Sequence, residues 1–211
     1  MALSGVDLHV RDREFAVVTG PSGAGKTTLF KILFGDMRPD DGTAVINGRN
    51  LARLDTAGLA ELRRELGVIF QDARLIERLP VIDNVSLAAE VAGFSRYEAR
   101  RRAGDALERV GVGDCGVCFP RDLCAGERQL VSLARALVKQ PRLLLADEPT
   151  VNLDPDHAIN LVGLLQSLHD DGTTVLMASH DPEALSAADC RMFVMTQGRL
   201  HEQGWGRAAV Q

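Results

Sequence analysis

The stretch Gly20-Pro21-Ser22-Gly23-Ala24-Gly25-Lys26-Thr27 decides how the rest of the chain is read. Before it runs Phe15-Ala16-Val17-Val18-Thr19, short, apolar and partly β-branched, the pattern of a buried strand. After it, Thr28-Leu29-Phe30-Lys31-Ile32-Leu33-Phe34 reads as the first turns of a helix. Alone, G-x-x-x-x-G-K-[ST] would fit an ordinary Gly-rich turn; between a strand and a helix it describes a phosphate cradle. The glycines let the loop wrap with its N–H groups inward, and the helix N-terminus adds its positive dipole end. From such a loop Lys26 reaches β- and γ-phosphates, and the Thr27 hydroxyl can ligate magnesium. The expected ligand is a nucleoside triphosphate.

The 211 residues, 45% hydrophobic and 25% charged, suit one domain with room for an inserted lobe. A net charge of −5 offers no global argument for nucleic acid as a partner. No apolar run approaches a membrane span, and the N-terminus lacks a signal peptide's basic-then-apolar layout. A cytoplasmic protein, or one peripheral to a membrane through a partner, is therefore expected. Cys115-Gly116-Val117-Cys118 has C-x-x-C spacing with Cys124 close by, but neither a fourth ligand nor a thioredoxin-like setting accompanies it, so coincidence is the reading taken. Cys190 reads as a small buried apolar residue.

Along the chain, Ala2 to Val10 alternates well enough for a strand, and Thr43 to Ile46 is a strand closed by the tight-turn pair Asn47-Gly48. A helix over Thr56 to Glu65 leads to the apolar strand Gly67 to Phe70. The middle of the chain is helical. Pro80 opens Val81 to Val91, and the S-x-x-E pattern of Ser95 and Glu98 starts a helix to about Val110. A third helix runs from about Gly126 to Val138, ended by Gln140-Pro141. Arg100-Arg101-Arg102 is read as a solvated face. The α/β pattern then resumes with a buried strand Leu143 to Ala146 and a helix capped by Asp154 and opened by Pro155. A strand Thr173 to Met177, a short helix near Glu183 to Ala188, a strand Met192 to Thr196, the turn Gln197-Gly198 and a last strand complete the pattern.

Ligands of an open parallel sheet gather beyond the carboxyl ends of its strands, where Gln71, Asp147, Glu148 and His180 all fall. Two acids straight after apolar strand residues are costly unless they face a site. Asp147 suits a direct or indirect magnesium role, and Glu148 is placed to polarise an attacking water as a general base. Gln71 could touch both metal and water, and His180 could bond a γ-phosphate oxygen. Each has an ordinary alternative, as a helix cap or a satisfied surface histidine; together, in this order after the cradle, they read as a site.

At these residues the chain resembles the ATP-binding-cassette (ABC) ATPases nearly end to end. Phe70-Gln71-Asp72 matches the Q-loop, and Leu123-Cys124-Ala125-Gly126-Glu127-Arg128-Gln129 is signature-like. Asp147 and Glu148 match the Walker-B acids, Asn152-Leu153-Asp154 the D-loop, and His180 the switch histidine. Arg63 to Ile76, Val81 to Val85 and Ala146 to Thr150 resemble most the cell-division branch typified by FtsE, with lipoprotein-release and macrolide-export cassettes as close relatives. The resemblance implies an α/β P-loop NTPase core with a mixed sheet, a small antiparallel part and an inserted helical subdomain. The core would be residues 1–71 and 143–211, and the helical subdomain 72–142. Implied nucleotide-binding residues are Gly20, Pro21, Ser22, Gly23, Ala24, Gly25, Lys26, Thr27 and Thr28, with Thr27, Gln71 and Asp147 toward Mg2+. Glu148, His180 and Gln71 would serve hydrolysis; Cys124, Ala125, Gly126 and Glu127 would act in trans, with Asp154 at the same interface. Two copies would pair head to tail around ATP and drive an integral-membrane, permease-like subunit, FtsX-like in the cell-division branch, from the inner face of the membrane.

Two departures carry expectations. Cys124 stands where the family has serine and Ala125 where it has the first glycine. A thiol is a weak donor, so weakened closure or turnover is expected. Relatives carry an aromatic that stacks on adenine upstream of the cradle, and no such residue precedes Phe15 here. Stacking is worth about 1–3 kcal/mol, so weak base selectivity is expected, with ATP and GTP within about tenfold of each other. Among rival readings, DNA-repair cassettes carry a long coiled coil that this interval lacks, and a phosphotransferase would leave Glu148, the signature and His180 idle. A nucleotide-gated interaction module with little turnover stays open because of the altered signature.

Overall fold

Strands buried on both faces need apolar residues at every position, and the alternate residues of these strands divide between two cores. In the structure, a computed structural model describing residues 2–181, 185–186 and 188–206, Phe15 and Val17 face one cluster while Ala16 and Val18 face the other. Val175 and Met177 likewise oppose Leu176 and Ala178.

The elements run β1 (Phe15–Thr19), α1 (Lys26–Leu33), β2 (Val45–Ile46), β3 (Arg49–Asn50), α2 (Thr56–Glu65), β4 (Leu66–Ile69), α3 (Val81–Val91), α4 (Arg96–Arg109) and α5 (Ala125–Leu137). They continue with β5 (Leu143–Asp147), α6 (Pro155–Asp170), β6 (Thr174–Ala178), β7 (Cys190–Thr196) and β8 (Arg199–Gly206). Six strands form one sheet in the order β4-β5-β6-β1-β7-β8, while β2 and β3 pair separately. The first five of that order are parallel and β8 closes the edge antiparallel, so the sheet is mixed as expected. One cluster joins the sheet to α3, α4, α5 and α6; the other lies under α1, α2 and the hairpin. The helical interval between β4 and β5 therefore shares a continuous core with the sheet.

Helix boundaries follow local chemistry. Asp55 accepts from Gly58 N to start α2, Pro80 precedes α3, and Ser95 Oγ accepts from Glu98 N at 3.3 Å to start α4. The Glu98 carboxylate pairs instead with Arg101 and Arg102, which holds its pKa down at about 2. Arg100 reaches Asp83 and Arg101 also reaches Asp105, so the arginine run is a solvated, internally paired face. Asn47 and Gly48 both take positive φ (49° and 76°), the turn that fits a two-residue hairpin.

Three expectations need correction, and one falls largely outside the described residues. Residues 2–10 do alternate, with Val6, Leu8 and Val10 turned inward, yet no strand is assigned there. Apolar alternation fixes which face is buried, but a strand needs a ladder partner, and here Ser4 N bonds Gly198 O in the β7–β8 turn. The strand expected over Thr43 to Ile46 contracts to Val45–Ile46. The helix expected near Glu183 to Ala188 lies largely on residues outside those described. β7 begins two residues before the predicted Met192 because Arg191 sits inside it, donating to Glu14 Oε1 (3.0 Å), Glu202 (2.8 and 2.7 Å) and His9 O (2.9 Å).

Candidate active site

The cradle is shaped by close approach as much as by torsion. Gly20 has φ 144°, and a Cβ there would lie 2.1 Å from Met195 O of β7. No side chain fits, so the loop folds directly onto the sheet. Gly198 N in the β7–β8 turn donates to Ala24 O at 2.9 Å and braces the far side. Lys26, the first residue of α1, is buried and donates to Gly20 O (2.6 Å) and Pro21 O (3.2 Å). Its ammonium also lies 3.1 Å from Glu148 Oε1.

Register brings the catalytic candidates to that ammonium. β5 pairs with β4 through Ile69↔Ala146 and with β6 through Asp147↔Ala178, so Gln71, Asp147-Glu148 and His180 leave neighbouring strand ends. Glu148 is buried with φ 49°, left-handed for a residue with a Cβ, and its N–H donates to Ala178 O at 3.0 Å. Such strain persists where the surroundings over-determine it, commonly at functional sites. Its second oxygen lies 2.7 Å from His180 Nδ1. One carboxylate thus bridges the cradle's cation and a half-exposed imidazole.

Asp147 has a different role. Its Oδ1 is buried without a hydrogen-bond partner among the described residues. Burial chiefly, and then the Glu148 charge, push its pKa up to about 6, against the pull of Lys26 and a hydrogen bond from Thr27. An orphaned carboxylate oxygen beside a threonine hydroxyl is a hard-oxygen donor set that fits a magnesium ion. Gln71 is exposed at the edge of a cavity of about 350 Å³ that Ala125, Arg128, Gln129, Val151, Asn152 and Leu153 also line.

The signature residues and Asp154 form a second group. Among the described residues, no hydrogen bond or ion pair joins them to Lys26, Asp147, Glu148 or His180. Cys124 caps α5: its sulfur accepts from Glu127 N at 3.4 Å, and its own N–H donates to the Glu127 carboxylate at 2.7 Å. The capping expected of a serine is kept by a thiol, at sulfur length. Asp154 caps α6 as expected, accepting from His157 N at 3.1 Å.

Several supporting residues escape a linear reading. Buried Gln129 donates to Phe70 O (2.9 Å), and Arg135 to Ala73 O and Arg74 O (both 2.6 Å), which fixes the chain on either side of Gln71. Buried Asn84 closes the loop before α3 by accepting from Ile76 N (2.6 Å) and donating to Leu79 O (3.0 Å). Polar residues on the apolar faces of α3 and α5 were the available signal. The C-x-x-C cysteines are free, and among the described residues no group of ligands could hold a metal there.

A strand–cradle–helix unit, with strand-end acids meeting the cradle lysine on a parallel sheet, defines a P-loop nucleotide-binding α/β protein. The model of the ABC transporter family matches residues 3–151, and the chain belongs to that family. The cell division ATP-binding protein FtsE of Escherichia coli is 42% identical over 95% of this chain and 90% of the relative. FtsE of Streptococcus pneumoniae is 39% identical over 94% of this chain and 86% of the relative. In shape, the chain is similar to the dimeric post-hydrolysis state of the ATP-binding cassette MJ0796 bound to ADP and Pi. That likeness has a TM-score of 0.88 at 31% identity and covers 96% of this chain and 90% of the other.

Proposed function

We propose that this chain is the ATP-hydrolysing subunit of a membrane-associated complex of the FtsE type, acting in cell division with an FtsX-like membrane protein. The observation that carries the reading is the bridge from Lys26 through Glu148 to His180 beside the orphaned oxygen of Asp147. Lys26 is held by its own loop and by Glu148. Phosphates compete for that ammonium, with cradle N–H groups and the α1 N-terminus completing their binding. Glu148, released from Lys26, then orients and deprotonates the attacking water, while His180 turns to the terminal phosphate. Thr27, Asp147 and Gln71 are the residues that would hold Mg2+, which when bound would neutralise phosphate charge.

The helical segment 72–142, set between core segments 1–71 and 143–211, would present Cys124 to Glu127 to a second copy, closing an ATP-bound homodimer. No described helix is long and apolar enough to cross a membrane; attachment to the inner face would run through the partner. The thiol at Cys124 supports a second reading, a nucleotide-gated module with little turnover. Phosphate release by the full chain, alone and co-purified with an FtsX-like membrane protein, tests both. Turnover abolished by Glu148→Gln supports the first. Turnover at background in the unaltered chain with its partner supports the second, and recovery of a DNA complex in place of a membrane protein refutes the first.

A further inference from the structure

His157, on the first turn of α6, ties together two segments that the nucleotide cluster does not reach. Its backbone N–H donates to Asp154 Oδ1 at 3.1 Å and its Nδ1 lies 2.6 Å from Asp154 Oδ2, so one residue holds both oxygens of that carboxylate. The other edge of the ring lies against Gly126, the second residue of α5. A Cβ on Gly126 would stand 2.3 Å from His157 Cδ2, 2.7 Å from Cγ and 3.0 Å from Nε2. Gly126 is helical and needs no unusual torsion; its missing side chain is the space the imidazole occupies. The cap of this turn joins a thiol acceptor at 3.4 Å to the 2.7 Å bond from Cys124 N–H to the Glu127 carboxylate, and both lie within the turn itself. They fix its local shape, whereas the imidazole packed on Gly126 sets where it sits against α6. Asp154 is largely open to solvent and His157 only partly so, with side chains 61% and 41% exposed.

We infer that His157 is a positioning residue that fixes the signature turn, Cys124 to Glu127, against the Asp154 loop of the same chain, and so sets how that turn meets nucleotide bound to a second copy. The inference rests on the head-to-tail pairing proposed above. Its first consequence is a split: nucleotide binding to the isolated cradle is independent of His157, whereas closure and turnover are not. Its second is that a side chain able to donate to Asp154 and fill the same space restores function. Glutamine does both; alanine does neither.

The test uses the full chain carrying His157→Ala or His157→Gln. Steady-state phosphate release and ADP affinity are measured for each, and sedimentation with Mg·ATP is run in a Glu148→Gln background. Expected for His157→Ala is a fall in kcat of about tenfold or more, since small misplacements of a catalytic group have large effects. ADP affinity should stay within about twofold of the parent, and the ATP-dependent dimer should weaken, while His157→Gln recovers most of both losses. If the Glu148→Gln parent forms no ATP-dependent dimer, the pairing reading falls and the inference with it. If the Glu148→Gln parent pairs, His157→Ala pairs as well in that background, and His157→Ala alone turns over like the unaltered chain, the inference alone is overturned. A parallel loss of ADP affinity and thermal stability in both variants also overturns it, because His157 would then be a general folding residue.

Discussion

Replacing Glu148 with glutamine removes one negative charge from the centre of the site and leaves its shape nearly unchanged. That charge lies 3.1 Å from Lys26 Nζ and 2.7 Å from His180 Nδ1, and the residue is only 7% exposed. At an effective dielectric of about 20, the attraction between Lys26 and Glu148 at such a distance is about 5 kcal/mol. Much of this offsets the cost of desolvating two charges, so the net hold on Lys26 is a fraction of it. A remainder of about 1.4 kcal/mol already corresponds to tenfold in affinity. Glu148→Gln should therefore do two separate things. Turnover should fall by roughly 10²–10⁴-fold, as expected when a positioned general base is removed. ADP, which undergoes no hydrolysis, should bind about tenfold more tightly, because Lys26 is no longer held by an anion and the phosphates meet less repulsion. Phosphate release measures the first effect and calorimetric titration of ADP without magnesium measures the second. Unchanged or weaker ADP binding would refute the idea that Glu148 restrains Lys26, and unchanged turnover would refute its role as base.

Replacing Cys124 with Ser and Ala125 with Gly together should raise the ATPase rate, since a hydroxyl donates to phosphate where a thiol does so weakly and such a contact is worth about 1.5–3 kcal/mol; an unchanged rate counts against a handicapped signature. The raised pKa of Asp147, about 6, means that its proton stabilises the folded chain fully below the usual aspartate range near pH 4, and that this contribution is lost as pH rises past about 6. Magnesium competes for the same oxygen, so added MgCl2 should raise the thermal midpoint at about pH 7.5 and do little at about pH 5, with the difference abolished in Asp147→Asn. Gly20→Ala should lower stability by about 2 kcal/mol or more and weaken ADP binding, because a Cβ at φ 144° would lie 2.1 Å from Met195 O. Arg191→Met strands the buried Glu14 carboxylate and should cost about 3–5 kcal/mol in chemical denaturation, much of it recovered in the double variant Arg191→Met with Glu14→Gln.

Local rules explain why much of the fold was legible. A cap, a proline or an Asn-Gly turn acts over three or four residues, so Ser95, Pro80, Asp154 and Asn47-Gly48 mark their elements without reference to the rest of the chain. Strands buried on both faces announce themselves by continuous apolar runs, and Phe15 to Thr19, Leu143 to Asp147 and Thr174 to Ala178 all do so. The alternation of residues 2–10 misled because the side-chain period of a strand records burial, and pairing needs a neighbour that local sequence does not specify.

By itself the sequence determined the phosphate cradle, the helices with their caps, the buried strands and the kinds of residue at the strand ends. These depend on backbone freedom, hydrogen bonds to near neighbours and apolar period, all of short range. Tertiary structure alone decided the strand order that carries Asp147 and Glu148 to Lys26, the left-handed φ of Glu148, and the acids that let Arg191 lie inside a strand. It also decided that Gly126 makes room for His157, a contact between helices that no spacing in the chain encodes. A side chain's chemistry travels with the sequence, whereas the charge it meets depends on which distant backbone the packing of the sheet brings beside it.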